Sequence, residues 1–214
     1  MFIVSASLQL RAQDNGAMLG LRAGHNSAFG GYAAVSVEAR QVLAERFAIH
    51  GGVQYSSIGK TAAEARPSYI HEFGWGQVSA EVLIAYTRLT SINSYAAGAG
   101  AGISGKWVSG RLGYYYHSFG GKGGHINEPF NIYYELAASL LPMVEEWDLK
   151  LTITNCELFG MERHYQPSFI ASCSYFPRHD IGVHMSIGCK PSGMFHMSAD
   201  YYESYLKLGL CYRW

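Results

Sequence analysis

Along most of the chain apolar and polar residues alternate one by one. In YLKLGLCYRW at 205–214, Leu206, Leu208, Leu210, Tyr212 and Trp214 share one face, and Lys207, Gly209, Cys211 and Arg213 share the other. WDLKLTITN at 147–155 sets Trp147, Leu149, Leu151 and Ile153 against Asp148, Lys150, Thr152 and Thr154. DIGVHMSIG at 180–188 and FNIYYELAASL at 130–140 repeat the pattern. Successive side chains on a strand point to opposite faces, so a period of two predicts strands with one apolar and one polar side. Similar runs lie near 17–25, 31–41, 47–57, 76–88, 94–105, 107–117, 166–176 and 194–202. NSAFGG, PMVEEW, FPRHD and CKPSG supply turns between them. VLAERFA at 42–48 is the one brief helix candidate. The prediction is an all-β chain of about twelve strands (ten to fourteen), most near the roughly 9–11 residues of a tilted membrane-crossing strand.

A soluble sandwich would alternate too, so the character of the polar face matters. It carries Arg22, Glu38, Arg40, Glu81, Arg111, Glu135, Lys150, His184, Asp200, Lys207 and Arg213. In a sandwich this face would meet water. In a membrane barrel it fills the interior, while Leu, Ile, Val and Tyr meet lipid. Tyr32, Tyr55, Trp75, Tyr86, Trp107, Tyr114 and Tyr175 near strand ends are candidates for headgroup level. The last strand runs to Trp214, with Tyr212 two before it on the same face. Here the sequence resembles small Gram-negative outer-membrane β-barrel proteins, whose final strand ends in an aromatic residue. The resemblance implies a closed antiparallel up-and-down transmembrane β-barrel. It also implies that Leu206, Leu208, Leu210, Tyr212 and Trp214 form the signal read by the barrel-assembly machinery. The AQD junction, the tyrosine content and the small size resemble barrels of the Bacteroidota.

Composition sharpens this reading. Charged residues make up 15% of the 214, against roughly 25% in soluble domains. Equal numbers of basic and acidic residues, 16 of each, argue against nucleic acid as a partner. No run of about 18 apolar residues offers a transmembrane helix. FIVSASLQ followed by LRAQD resembles the tail of a secretory signal peptide but lacks a basic start, so residues 1–13 read as an incomplete signal remnant or a short first strand. Residues 14–214 read as the barrel. No long N-terminal segment is present to serve as a plug, which sets the chain apart from TonB-dependent transporters. Four cysteines at 156, 173, 189 and 211 lack metal or redox spacing and read as apolar fillers first. Alternation points Cys156 inward and Cys173 outward, which disfavours bridging that pair.

The best catalytic candidates lie in YYYHSFGGKGGHINEPF, where His117, Ser118, His125 and Glu128 gather in a Gly-rich stretch. Serine, histidine and an acid can form a hydrolase triad, and outer-membrane lipid A deacylases are barrels with such a triad. Adjacent His117 and Ser118, however, point to opposite sides of a strand. The plainer reading is a polar turn beside an inward, hydrogen-bonded histidine. His184 and His196 could approach each other across neighbouring strands, but hydrogen-bonded interior histidines explain them without a metal. No metal or cofactor is expected. AAGAGAGISG matches no phosphate loop, and its glycines on a strand predict a bend or close packing.

About twelve strands lie between barrels of eight, filled by side chains, and those of sixteen, which hold aqueous channels. Inward charges of both signs would pair, because an isolated charge is costly at membrane depth. A filled or narrow interior is therefore expected. The first reading is an accessory or structural subunit of an outer-membrane complex, with lipid, lipopolysaccharide, the assembly machinery and other barrels or lipoproteins as partners. Phe195, Met197 and Tyr201 could face such a barrel. The alternatives are a narrow channel for small solutes and a barrel-type hydrolase. With the C-terminus in the periplasm, the predicted strands place 118–128 on the periplasmic side, where barrels of this kind seldom carry long connections.

Overall fold

In the computed structural model, residues 15–27, 29–44, 46–121, 124–144, 146–157, 167–191 and 201–214 are described. Twelve strands run β1 (Gly16–Asn26), β2 (Gly30–Ala44), β3 (Phe47–Ser56), β4 (Lys60–Phe73), β5 (Gly76–Leu89), β6 (Ile92–Gly105), β7 (Val108–Gly121), β8 (Gly124–Ser139), β9 (Trp147–Thr154), β10 (Ser168–Tyr175), β11 (Ile181–Pro191) and β12 (Tyr201–Arg213). Each pairs antiparallel with its neighbours in sequence, and β1 pairs with β12, from Gly16 opposite Arg213 to Asn26 opposite Glu203. Closure leaves no strand edge unpaired, as hydrocarbon requires.

The alternation becomes an apolar outside and a polar inside. On β1, Leu21 is 64% exposed while its neighbour Arg22 is 8% exposed. On β8, outward Phe130 is 82% exposed and inward Tyr133 only 1%. Aromatic pairs ring the end that holds both termini: Phe47 with Tyr69, Phe73 with Trp75, Trp147 with Tyr175, and Tyr212 with Trp214. Trp107, in the turn between β6 and β7, joins them. At the other end, exposed Tyr55 and the Tyr86–Tyr95 pair face outward. About eleven residues separate Trp75 from Tyr86, which at roughly 3.3 Å each and a tilt near 45° span ~25 Å of height. That matches the apolar band of a membrane barrel. Tyr32 does not belong to this belt: its hydroxyl turns inward to Glu203.

Three local expectations need correction, and a fourth falls mostly on residues that are not described. The strand at 60–73 was not expected, because its outward positions are Thr61, Ala63, Ala65 and Pro67, too small to mark an apolar face. Pro67, which can donate no ladder bond, pairs with Ile49 on β3, and the pairing of β4 with β5 skips from Ala65 to Ser68. The strand expected at 194–202 lies mostly outside the described residues, and Tyr201 and Tyr202 begin β12. VLAERFA is no helix; it divides between the end of β2 and the start of β3. Residues 118–128 are two long strand ends, β7 reaching Gly121 and β8 starting at Gly124, at the end opposite the termini. Seven strands precede that hairpin and five follow it, which sets it on the side opposite to the expected one. Residues 1–13, Phe195, His196, Met197 and Asp200 lie outside the described residues.

Candidate functional site

The wall of the barrel is uneven. β9 and β10 have 8 residues each, whereas β7 has 14 and β8 has 16. The ladder of β9 stops where Asn155 turns its amide onto β8: Asn155 Oδ1 accepts from the Tyr134 N–H at 2.7 Å, and Nδ2 donates to the Ile132 carbonyl at 2.8 Å. The Thr154 hydroxyl donates to the Tyr134 carbonyl at 3.0 Å and accepts from the Cys156 N–H at 3.0 Å. These bonds replace strand pairing and send the chain inward rather than up the wall.

Once inside, the connection meets both sides of the lumen. Cys156, 2% exposed, packs with Leu83, Ala96, Tyr115 and Tyr133 from four neighbouring strands. Arg66 Nη2 on β4 donates to the Cys156 carbonyl at 2.9 Å. Glu157 meets Arg22 on β1 at 3.2 Å. Asn155, Cys156 and Glu157 thus reach from β8 to β4 and β1. Arg66 and Leu83 stand mid-way along β4 and β5, so the crossing lies near mid-height.

The lumen wall around this crossing is laced with ion pairs. Arg111 bridges Glu81 at 3.2 Å and Glu135 at 2.7 Å. Tyr133 reaches over two strands to donate its hydroxyl to Glu81 at 2.9 Å. Only glycine allows that path, since a Cβ at Gly100 or Gly113 would strike the Tyr133 side chain. Arg66 pairs with Glu64 on its own strand. On the other side Arg22 also meets Glu203 at 3.1 Å and stacks over Tyr205, 3.5 Å from the ring centre. Lys207 pairs with Glu38 at 2.5 Å, and Lys190 lies 3.8 Å from Glu203. Lys150 pairs with Asp148 at 2.7 Å. Below the crossing, toward the termini, a cavity of about 240 Å³ is lined by Glu38, Arg40, His50 and Arg213 among others, with Arg213 stacked on Phe176.

The structure therefore gathers Arg22, Glu38, Arg40, Glu81, Arg111, Glu135, Lys150, Lys207 and Arg213 on the inner face in several clusters. His184 is inward as well, its Nδ1 2.9 Å from Ser174 Oγ. Glu64, Arg66, Glu157, Lys190 and Glu203 were not singled out from sequence. Glu64 and Arg66 were hidden because the apolar half of their strand is alanine, and Glu157 because nothing local distinguishes an inward connection from an outward one. The suggested catalytic residues separate. Ser118 faces outward and donates to Asn127 at 2.8 Å, and His125 is exposed opposite Gly120. His117 and Glu128 face inward together, His117 Nδ1 lying 3.3 Å from the carboxylate. Among the described residues the four cysteines are free, and no group of three or more His, Cys, Asp or Glu is placed to hold a metal ion.

No protein-family model and no curated protein matches the chain. Solved barrels match its shape. A KdgM porin in complex with disordered oligogalacturonate superposes with a TM-score of 0.61 over 93% of this chain and 99% of its own, at 11% identity. The fold is that of a small outer-membrane porin. NanC porin gives 0.59 over 92% and 100% at 10% identity. An outer membrane channel from Pseudomonas putida F1 gives 0.55 over 94% and 96% at 10% identity. At identities near a tenth the likeness is one of fold. The apolar exterior between two aromatic girdles then sets the barrel in a bilayer, the outer membrane of a Gram-negative bacterium.

Proposed function

We propose that the protein is a narrow channel for small, neutral or zwitterionic solutes. The observation that carries this reading is the inward connection at Asn155, Cys156 and Glu157, which packs Cys156 on the β5–β8 wall, accepts from Arg66 on β4 and joins Glu157 to Arg22 on β1 across the lumen. Twelve strands enclose more space than the eight of a side-chain-filled barrel. A chain segment fixed across that space leaves passages far narrower than the barrel. The charges facing those passages are of both signs and paired with one another, so neither cations nor anions gain a continuous path. The KdgM porin, solved with a polyanionic sugar, shares the fold, but among the described residues the inward charges of the two signs are balanced, with no cationic surplus to match such a ligand. An accessory role in a larger complex draws no comparable support from barrels whose solved counterparts are porins and channels.

Proteoliposome swelling tests the proposal. Glycine and monosaccharides should enter vesicles that contain the folded protein, while trisaccharides and acidic oligosaccharides should be excluded. Vesicles that admit none of these solutes would contradict a channel, and vesicles that admit all of them would contradict a narrow one.

A further inference from the structure

We propose that Ser94, His117 and Glu128 form a hydrolytic triad on the lumen wall, acting on small ester solutes that enter the barrel. This goes beyond passive transport and requires only that an ester reaches the mouth. The three residues stand on β6, β7 and β8, toward the end opposite the termini. Ser94 Oγ lies 2.6 Å from His117 Nε2, and Glu128 Oε2 lies 3.3 Å from Nδ1 on the far side of the ring. That order, hydroxyl to Nε2 and carboxylate to Nδ1, is the one a nucleophile, base and orienting acid require. The carboxylate favours the tautomer with hydrogen on Nδ1, which leaves the Nε2 lone pair for the serine proton.

The local backbone is shaped for this arrangement. On β7 and β8, Tyr115 pairs with Asn131, so regular pairing would set His117 opposite Pro129. A register shift between Tyr115 and His117 sets it opposite Glu128 instead. Bulges commonly re-aim a side chain beside an active site. The His117 ring, 4% exposed, is held by stacking on Phe119, with centroids 5.2 Å apart. The other inward serine–histidine pair differs in the respect that matters: Ser174 meets His184 through Nδ1, the position a carboxylate would need.

The chemistry balances without a redox partner. Ser94 Oγ attacks the ester carbonyl carbon as its proton passes to His117 Nε2. The bond to the leaving alcohol then breaks, and the alcohol takes that proton. Water attacks the acyl-serine, giving a proton to Nε2; the bond to Ser94 Oγ then breaks, Oγ takes that proton from Nε2, and the carboxylic acid leaves.

A fluorophosphonate probe reads the nucleophile and base directly. The full-length protein, folded in detergent micelles and checked by heat-modifiable mobility, should label at Ser94. Ser94→Ala should abolish labelling, and His117→Ala should slow it by ~10²–10⁴-fold, the usual worth of a positioned base. Glu128→Gln, at a more exposed site, should also slow it, while Ser118→Ala should not. Failure of the wild-type protein to label, labelling that survives Ser94→Ala, or wild-type labelling rates in the folded His117→Ala and Glu128→Gln variants would overturn the proposal.

Discussion

The two walls that hold the inward connection do so by different means. The β4–β8 wall is nearly self-sufficient: Arg66 has Glu64, Arg111 lies between Glu81 and Glu135, and Tyr133 ties the set together. To the connection it offers one arginine N–H, for the Cys156 carbonyl, and an apolar patch. The wall from β11 round to β2 is not self-sufficient. Its ion pairs hold Arg22, Lys190 and Lys207 against Glu38 and Glu203. Within the ion pairs just named, carboxylates outnumber cations by one on the first wall and cations outnumber carboxylates by one on the second, to which Arg40 and Arg213 add further positive charge. Glu157, carried in on the connection, adds a second carboxylate at Arg22 beside Glu203. The same inward-facing pattern thus builds one wall that offers the connection a hydrogen-bond donor and an apolar patch, and one that receives its charge.

This asymmetry can be broken most severely at Arg22. Arg22→Ala leaves Glu157 and Glu203 facing each other without their shared cation, and removing one partner of a buried pair costs about 3–5 kcal/mol. The unfolding midpoint in urea, followed by gel mobility in detergent micelles, should fall accordingly. A midpoint within error of the wild type would mean that the connection is not fastened there.

A smaller and more selective effect is expected from Glu157→Gln. It keeps the shape of the connection and removes its charge, leaving one more cation of the second wall uncompensated. At an effective dielectric between water and protein this is worth about 1 kcal/mol, or roughly fivefold in permeability ratio, in favour of anions. Reversal potentials in a salt gradient measure it. A shift toward cations, or none, would contradict the assignment of Glu157 to the β11–β2 wall.

Much of the barrel was legible because the membrane imposes a strict rule. Leu, Ile and Val must face lipid at every second position, so segments such as Leu206 to Trp214 could be recognised and their inward charges named. β4 escaped notice because small residues such as Ala63 and Ala65 satisfy lipid without advertising a face. The crossing at residues 155–157 was invisible for another reason. It follows from β9 ending early, and that depends on which backbone groups Asn155 finds on β8. The sequence set His117 beside Ser118, whereas the serine that meets its ring is Ser94, a neighbour only through strand register.

The most direct test of the account is the single-channel conductance of the protein before and after Cys156 and Glu157 are both replaced by glycine. The replacements remove the side chain packed on the β5–β8 wall and the one joined to Arg22, while leaving the barrel strands untouched. If the connection narrows the lumen, the conductance of the variant rises well above that of the wild type and larger neutral solutes begin to pass. If conductance and size limit stay the same, the constriction lies elsewhere and the central claim fails.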